Sequence, residues 1–255
     1  MKRIAVITGA SAGMGRVFAE SVNNWEGIEE VWAIARRKER LESLRCPVPV
    51  KVLPMDLTDR SNYAVYAKLL AEEQVEVALL VNAAGFGKFC GTLEVPTEEN
   101  LNMVDLNCQA LQAMCQMTIP YMPKGGRIIN FSSVASEQPI PYINVYGATK
   151  AFVSSYGRAL NRELKSRGIG VTTVYPFWTA TEFFDRAIDP NTEPVVKSYI
   201  AMYTPEQIVA RAWQDAKRGK DVCRYGFIAR SQSLLAKLLP HSVIMNMWMN
   251  MQKLK

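Results

Sequence analysis

Tyr146 and Lys150 stand four residues apart in Tyr146-Gly147-Ala148-Thr149-Lys150. On a helix that spacing places both side chains on one face. A free phenol titrates near pH ~10, too high for efficient proton transfer at neutral pH, and a nearby ammonium favours the phenolate and lowers that value. The pair can work as one acid/base. Alone, this spacing is a common chance event and usually marks surface residues. Its setting raises it: strand-like Ile128-Ile129-Asn130-Phe131 ends in Ser132-Ser133, a short loop follows, and Tyr146 begins the next helix. A strand-end serine could hydrogen-bond a substrate oxygen as charge develops on it.

A second constellation lies at the start of the chain. Thr8-Gly9-Ala10-Ser11-Ala12-Gly13-Met14-Gly15 joins an apolar run to a segment of helical period. Gly9, Gly13 and Gly15 allow a tight turn and close approach of backbone to a pyrophosphate, and the helix N-terminus supplies amides and the positive end of a dipole. Such a loop is weak evidence by itself and much stronger between the first strand and first helix of an alternating chain. The next strand ends in Ala33-Ile34-Ala35-Arg36-Arg37-Lys38, with no acid to accept from ribose hydroxyls. Arg36 or Arg37 can bond a 2′-phosphate, with Ser11 as a further donor, so the cofactor expected is NADP(H) rather than NAD(H).

The elements that must position these groups alternate. Strand-like runs at 4–8, 31–35, 50–54, 77–81, 127–131 and 171–175 are separated by helix-like segments at 15–23, 37–44, 60–73, 98–122 and 148–167. This pattern predicts βαβ units, and hence an α/β, Rossmann-type, doubly wound parallel sheet of six or seven strands with helices on both faces. Ligands of such sheets bind beyond the carboxyl ends of the strands, where both constellations fall. No linker divides the chain, so one domain over residues 1–255 is expected.

In this order and spacing, the glycine loop, Tyr146, Lys150 and the serine thirteen residues before the tyrosine resemble the short-chain dehydrogenase/reductase family, from about Lys2 to Phe183. The resemblance implies a cofactor-binding and catalytic core at 1–183, followed by a substrate lid and C-terminal segment at 184–255. The same resemblance implies that Ser133 rather than Ser132 orients the substrate. It makes Tyr146 the proton donor in reduction, and Lys150 the group that binds the nicotinamide ribose and depresses the tyrosine pKa. Asn107 matches the asparagine that holds a water in the proton relay. Asp56 with Leu57 matches the adenine-side contact. Asn82-Ala83-Ala84-Gly85 matches the motif that lines the cofactor site, with Ala83 in place of the usual second asparagine. Pro176 through Thr181, including Thr179, matches the segment gripping the carboxamide. Phe177 departs from the pattern where glycine commonly follows the proline, which puts the local backbone and the substrate entrance in question.

Composition narrows the function classes. The single histidine, His241, nearly excludes a histidine-based metal centre or a Ser-His-Asp triad, and no metal is expected. The scattered cysteines Cys46, Cys90, Cys108, Cys115 and Cys223 read as reduced thiols of a cytoplasmic protein. No signal segment or membrane span is legible. The net charge of +6 is read as spread along the chain, without a nucleic-acid motif.

The resemblance implies a lid after Pro176, whose aromatic residues would bury a lipophilic ketone or alcohol, and by analogy with steroid dehydrogenases of the family a hydroxysteroid is the specific expectation. Small ketones, sugars, acyl thioesters and aromatic aldehydes remain open, as does an NADP(H)-binding sensor with little turnover. The methionine-rich tail after Leu234 has three readings: packing on another subunit, a lid over a bulky substrate, or an amphipathic segment on a membrane. The first two are preferred, because its alternation gives no clear polar face. A homodimer or homotetramer follows from the resemblance alone.

Overall fold

The computed structural model describes residues 1–188 and 193–254. Seven parallel strands form one sheet: β1 (Arg3–Thr8), β2 (Glu30–Ala35), β3 (Val50–Pro54), β4 (Glu76–Asn82), β5 (Arg127–Phe131), β6 (Gly170–Val174) and the two-residue β7 (Val222–Cys223). Their spatial order is β3-β2-β1-β4-β5-β6-β7. The order reverses between β1 and β4, which creates the crevice such sheets use for ligands.

Alternation along each strand feeds two cores. Val6, Trp32, Leu80, Ile128 and Val171 pack in one layer. Ile7, Ala33, Val81, Ile129 and Val174 pack in the other. Because both faces are covered, the central strands read as continuous apolar runs rather than alternating ones. Helices α1 (Gly13–Glu20), α2 (Lys38–Glu42), α3 (Ser61–Glu72), α4 (Thr97–Val104), α5 (Leu111–Thr118) and α6 (Asn144–Glu163) occupy the intervening segments. After β6 come α7 (Phe183–Ala187), α8 (Pro205–Lys217), α9 (Phe227–Leu238) and α10 (His241–Gln252).

The fold class agrees with the expectation from alternation, with one local difference. The helix expected over 98–122 is broken into α4, a π-helical turn over Asp105–Ala110, α5, and a 3-10 turn over Ile119–Tyr121. Pro120 lacks the N–H that would continue α5. The π turn carries Asn107 inward, and single π turns are frequent at functional sites.

Candidate active site

The phosphate-type loop is held against the end of β4. Gly9 has a left-handed backbone (φ +68), and a Cβ there would lie 2.7 Å from the Ala84 nitrogen. A Cβ on Gly15 would strike the Gly9 carbonyl. The Ala84 N–H donates to Thr8 Oγ1 at 3.1 Å, tying the two strand ends together. Ala12, at the N-cap of α1, provides no side-chain cap, so the first-turn amides are left for a ligand.

This loop floors a cleft of about 790 Å³ lined by Gly9, Ser11, Gly13, Met14, Gly15, Arg36, Arg37, Arg40, Asp56, Leu57, Ala83, Ala84, Gly85 and Thr181. Asn82 lies below it, donating to Asn130 Oδ1 at 2.9 Å across β4 and β5. Arg36 stands 3.9 Å from Asp56. Arg37 donates to Glu182 at 3.0 Å and to Ser11 Oγ at 3.3 Å, and Arg40 also binds Glu182. Hydrogen bonds from Arg40 and then Arg37 hold the Glu182 carboxyl below its ordinary range. The cationic corner thus already holds one anion. Glycine backbone, uncapped amides and this corner fit a dinucleotide phosphate. Arg40, one turn into α2, was not singled out from sequence; its i+3 spacing from Arg37 was the available signal.

Ser133, Tyr146 and Lys150 line an adjoining cavity of about 490 Å³. Met14, Ala83, Gly85, Thr181 and Phe183 border both spaces. The two serines are differently engaged. Ser132 donates to the Lys150 carbonyl at 2.7 Å, whereas Ser133 Oγ accepts from the Ala135 N–H at 3.1 Å and hydrogen-bonds Tyr146. Lys150 Nζ donates to the Phe131 carbonyl at 2.9 Å and lies 5.7 Å from the Tyr146 ring centre.

The tyrosine departs from the lowered pKa expected of its lysine neighbour. Desolvation pushes Tyr146 up to about 12, opposed by the Ser133 hydrogen bond. The Lys150 ammonium hydrogen-bonds the Phe131 carbonyl and not the phenol. Burial brings Lys150 down to about 8, with the neighbouring Cys108 thiol acting the other way. Asn107 is buried: its Nδ2 donates to the Phe86 carbonyl at 2.8 Å and to Thr149 at 3.0 Å, and its Oδ1 accepts from the Phe86 N–H at 3.1 Å. It thereby clamps the loop after β4 onto α6.

Beyond the hydroxyls the cavity is apolar. Trp178, Phe184 and Trp248 belong to one apolar cluster with Tyr146, and Phe89 and Phe183 pack on its ring. Gly87 lies against the same ring: a Cβ there would come within 2.9 Å of it. Phe89 and Gly87 escaped the sequence reading because no local spacing links them to Tyr146; Trp248 belongs to the tail, for which a lid over a bulky substrate is one of the three sequence readings. Phe177 does not strain the chain, since it is absent from the residues with positive φ. Its ring is buried with Tyr175 and Ala229, so it joins the end of β6 to α9. Pro176, Phe177 and Thr179 face the same cavity. His241 is the exposed first residue of α10 and lines neither space.

Comparison with known proteins places this geometry in a family. The family profile described as short chain dehydrogenase matches residues 3–191. The chain belongs to that family. It is 31% identical over 179 residues to an uncharacterized oxidoreductase of Staphylococcus epidermidis, covering 69% of this chain and 77% of that protein. A 3-ketodihydrosphingosine reductase of Bacteroides thetaiotaomicron is 33% identical over 186 residues, 72% of this chain and 66% of its own length. A very-long-chain 3-oxoacyl-CoA reductase of Anas platyrhynchos is 30% identical over 209 residues, 77% and 66% of the two chains.

Among solved structures, a short-chain dehydrogenase from Sphingobium yanoikuyae in complex with NADPH superposes with a TM-score of 0.77 at 29% identity, covering 96% of this chain and 95% of that one. The bulky-bulky ketone specific alcohol dehydrogenase from Comamonas testosteroni gives 0.73 at 26% identity, with 92% of each chain covered. Among the described residues no helix is long and apolar enough to cross a membrane.

Proposed function

We propose that this short-chain dehydrogenase interconverts a ketone and a secondary alcohol on a lipophilic substrate, using NADP(H). The observation that carries the reading is the apolar cavity that ends on Ser133 and Tyr146 and adjoins the cationic dinucleotide cleft. Its volume lies within the range of about 300–1,000 Å³ common for small-molecule sites. When bound, the nicotinamide supplies or accepts the hydride. In reduction, Ser133 donates a hydrogen bond to the substrate oxygen, and Tyr146 gives its hydroxyl proton to that oxygen. Lys150 would hold the nicotinamide ribose and offset the phenolate that remains. Asn107 positions the loop and α6 for this exchange.

The cofactor assignment is supported by Arg36, Arg37 and Arg40 and by the NADPH in the Sphingobium neighbour. A hydroxysteroid remains the specific substrate proposal. A long-chain 3-oxo compound is the second reading, favoured by the names of the two reductases similar to this chain. A homo-oligomer is supported by the exposed Leu101 and Val104 of α4 and Phe152 of the neighbouring α6.

The test is nicotinamide absorbance with purified protein, NADP⁺ or NAD⁺, and hydroxysteroids beside long-chain 3-hydroxy compounds and small secondary alcohols, with Tyr146→Phe as the blank. NADP⁺ reduction restricted to a lipophilic class supports the proposal and selects its substrate. Turnover confined to small alcohols, or NADPH binding with no turnover across the panel, would sink it.

A further inference from the structure

The interleaving of acids and bases stops at the tail. Residues 222–255 contain Arg224, Arg230, Lys237, Lys253 and Lys255 and no Asp or Glu, so this segment holds nearly all of the chain's net charge of +6. Arg224 is engaged inward, bound to Glu137 and lying over the Tyr175 ring. Arg230, Lys237 and Lys253 are exposed.

The same segment carries an apolar surface. Phe227, Leu234 and Leu238 recur at i, i+7 and i+11 of α9, one line on a helix, opposite the buried Ala229 and Ala236. Phe227 is 82% exposed and Leu238 69%. On α10, Val243, Met247 and Met251 form a second exposed line at i, i+4 and i+8. Phe227, Met247 and Met251 also line the substrate cavity, so this face is the rim of its mouth.

Both helices are fastened from behind. Ser233 and Arg224 bind Glu137, and the Phe177 ring packs on Ala229. The Trp248 indole donates to the Pro141 carbonyl at 3.1 Å. The buried Gln252 accepts from the Lys197 and Ser198 N–H groups at 2.7 and 3.0 Å. The exposed lines are therefore a fixed surface.

We propose that the α9–α10 face docks on an anionic lipid surface and sets the cavity mouth against it, so that the lipophilic substrate enters from the lipid. The second half rests on the function proposed above. Charge complementarity selects the occupant. An apolar face whose own helices carry bases and no acid matches anionic headgroups over acyl chains. A two-fold contact with a second copy would instead set the face against itself, basic rim to basic rim.

The test uses the full chain and two double variants outside both cavities, Leu234→Ser with Leu238→Ser and Arg230→Gln with Lys237→Gln. Each is co-sedimented with phosphatidylcholine vesicles, with and without phosphatidylglycerol, at low and high salt. The expected result is binding to the anionic vesicles alone, weakened by salt. Loss of the two cations weakens it about thirtyfold, and loss of the two leucines at least about tenfold.

Turnover of a short water-soluble ketone stays unchanged in both variants, while a long-chain ketone supplied in anionic vesicles is reduced more slowly by them. Equal binding to both vesicle types overturns the anionic-lipid assignment. So does absence of binding, with the leucine pair converting a dimer to a monomer on size exclusion. Equal long-chain rates overturn entry from the lipid. Vesicle binding with no turnover of any ketone counts against the proposed function and leaves the docking face standing.

Discussion

The dinucleotide cleft and the substrate cavity meet at Met14, Gly85 and Thr181 yet are built in different ways. The cleft is made of strand ends: a contiguous glycine loop after β1, arginines after β2, Asp56 after β3 and residues 83–85 after β4. It offers backbone amides and fixed cations. The cavity draws Phe89, Trp178, Phe184 and Trp248 from segments up to 159 residues apart, and its walls are apolar. Polar recognition at close range requires set residue types at set spacing, whereas an apolar wall requires volume that many arrangements supply. The first kind of site leaves a motif; the second leaves composition.

The largest effect is expected where the regions join. Tyr146→Phe should lower turnover about a thousandfold or more while NADPH affinity holds, since general acid/base catalysis contributes up to about 10⁴-fold; retained turnover in steady-state assays would remove the tyrosine from its role. On the cleft side, Arg36→Gln with Arg37→Gln should weaken NADPH about a hundredfold and NADH less than about threefold, read by fluorescence titration. Equal weakening of both would contradict the 2′-phosphate assignment.

Lys150 gives a test by pH. Its pKa is held near 8 against an ordinary 10.5, so between those values the folded chain binds fewer protons than the unfolded chain. Its contribution to stability is therefore complete above pH 10.5 and lost as pH falls toward 8, by on the order of 3 kcal/mol. Lys150→Met should shift the change in Tm between pH 8 and 10 downward relative to the parent chain in the cofactor-free protein; an unchanged slope would show that the lysine is not desolvated as the structure has it.

On the cavity side, Trp248→Ala should raise KM for a lipophilic ketone about tenfold, with little change for a small ketone or for NADPH affinity. A matching loss of NADPH affinity would erase the distinction between the two regions. The smallest effect is assigned to Glu182, whose carboxylate occupies the cationic corner. Glu182→Gln should tighten NADPH about threefold and leave NADH unaltered; weaker NADPH binding would show instead that Glu182 organises the arginines.

The strand pattern and the order β1–α1–β2 were legible because a sheet covered on both faces must read as apolar runs separated by helical periods. Gly9, Gly13 and Gly15 were legible because close backbone approach admits little else, as Gly9 and Gly15 show against Ala84 and each other. The break of the 98–122 helix was not: the residues over 105–110 carry no breaker, and the π turn is stabilised by what Asn107 reaches, the Phe86 backbone and Thr149.

The amino-acid sequence by itself determined the fold class, the positions of Ser133, Tyr146 and Lys150, and the cationic end of β2, because each rests on local spacing. Tertiary structure alone decided that Lys150 turns to the Phe131 carbonyl, that burial raises the tyrosine, that Glu182 reaches across to Arg37, and that the methionine-rich tail rims the cavity. Those outcomes depend on desolvation and on contacts between distant segments, which exist only once the chain has folded.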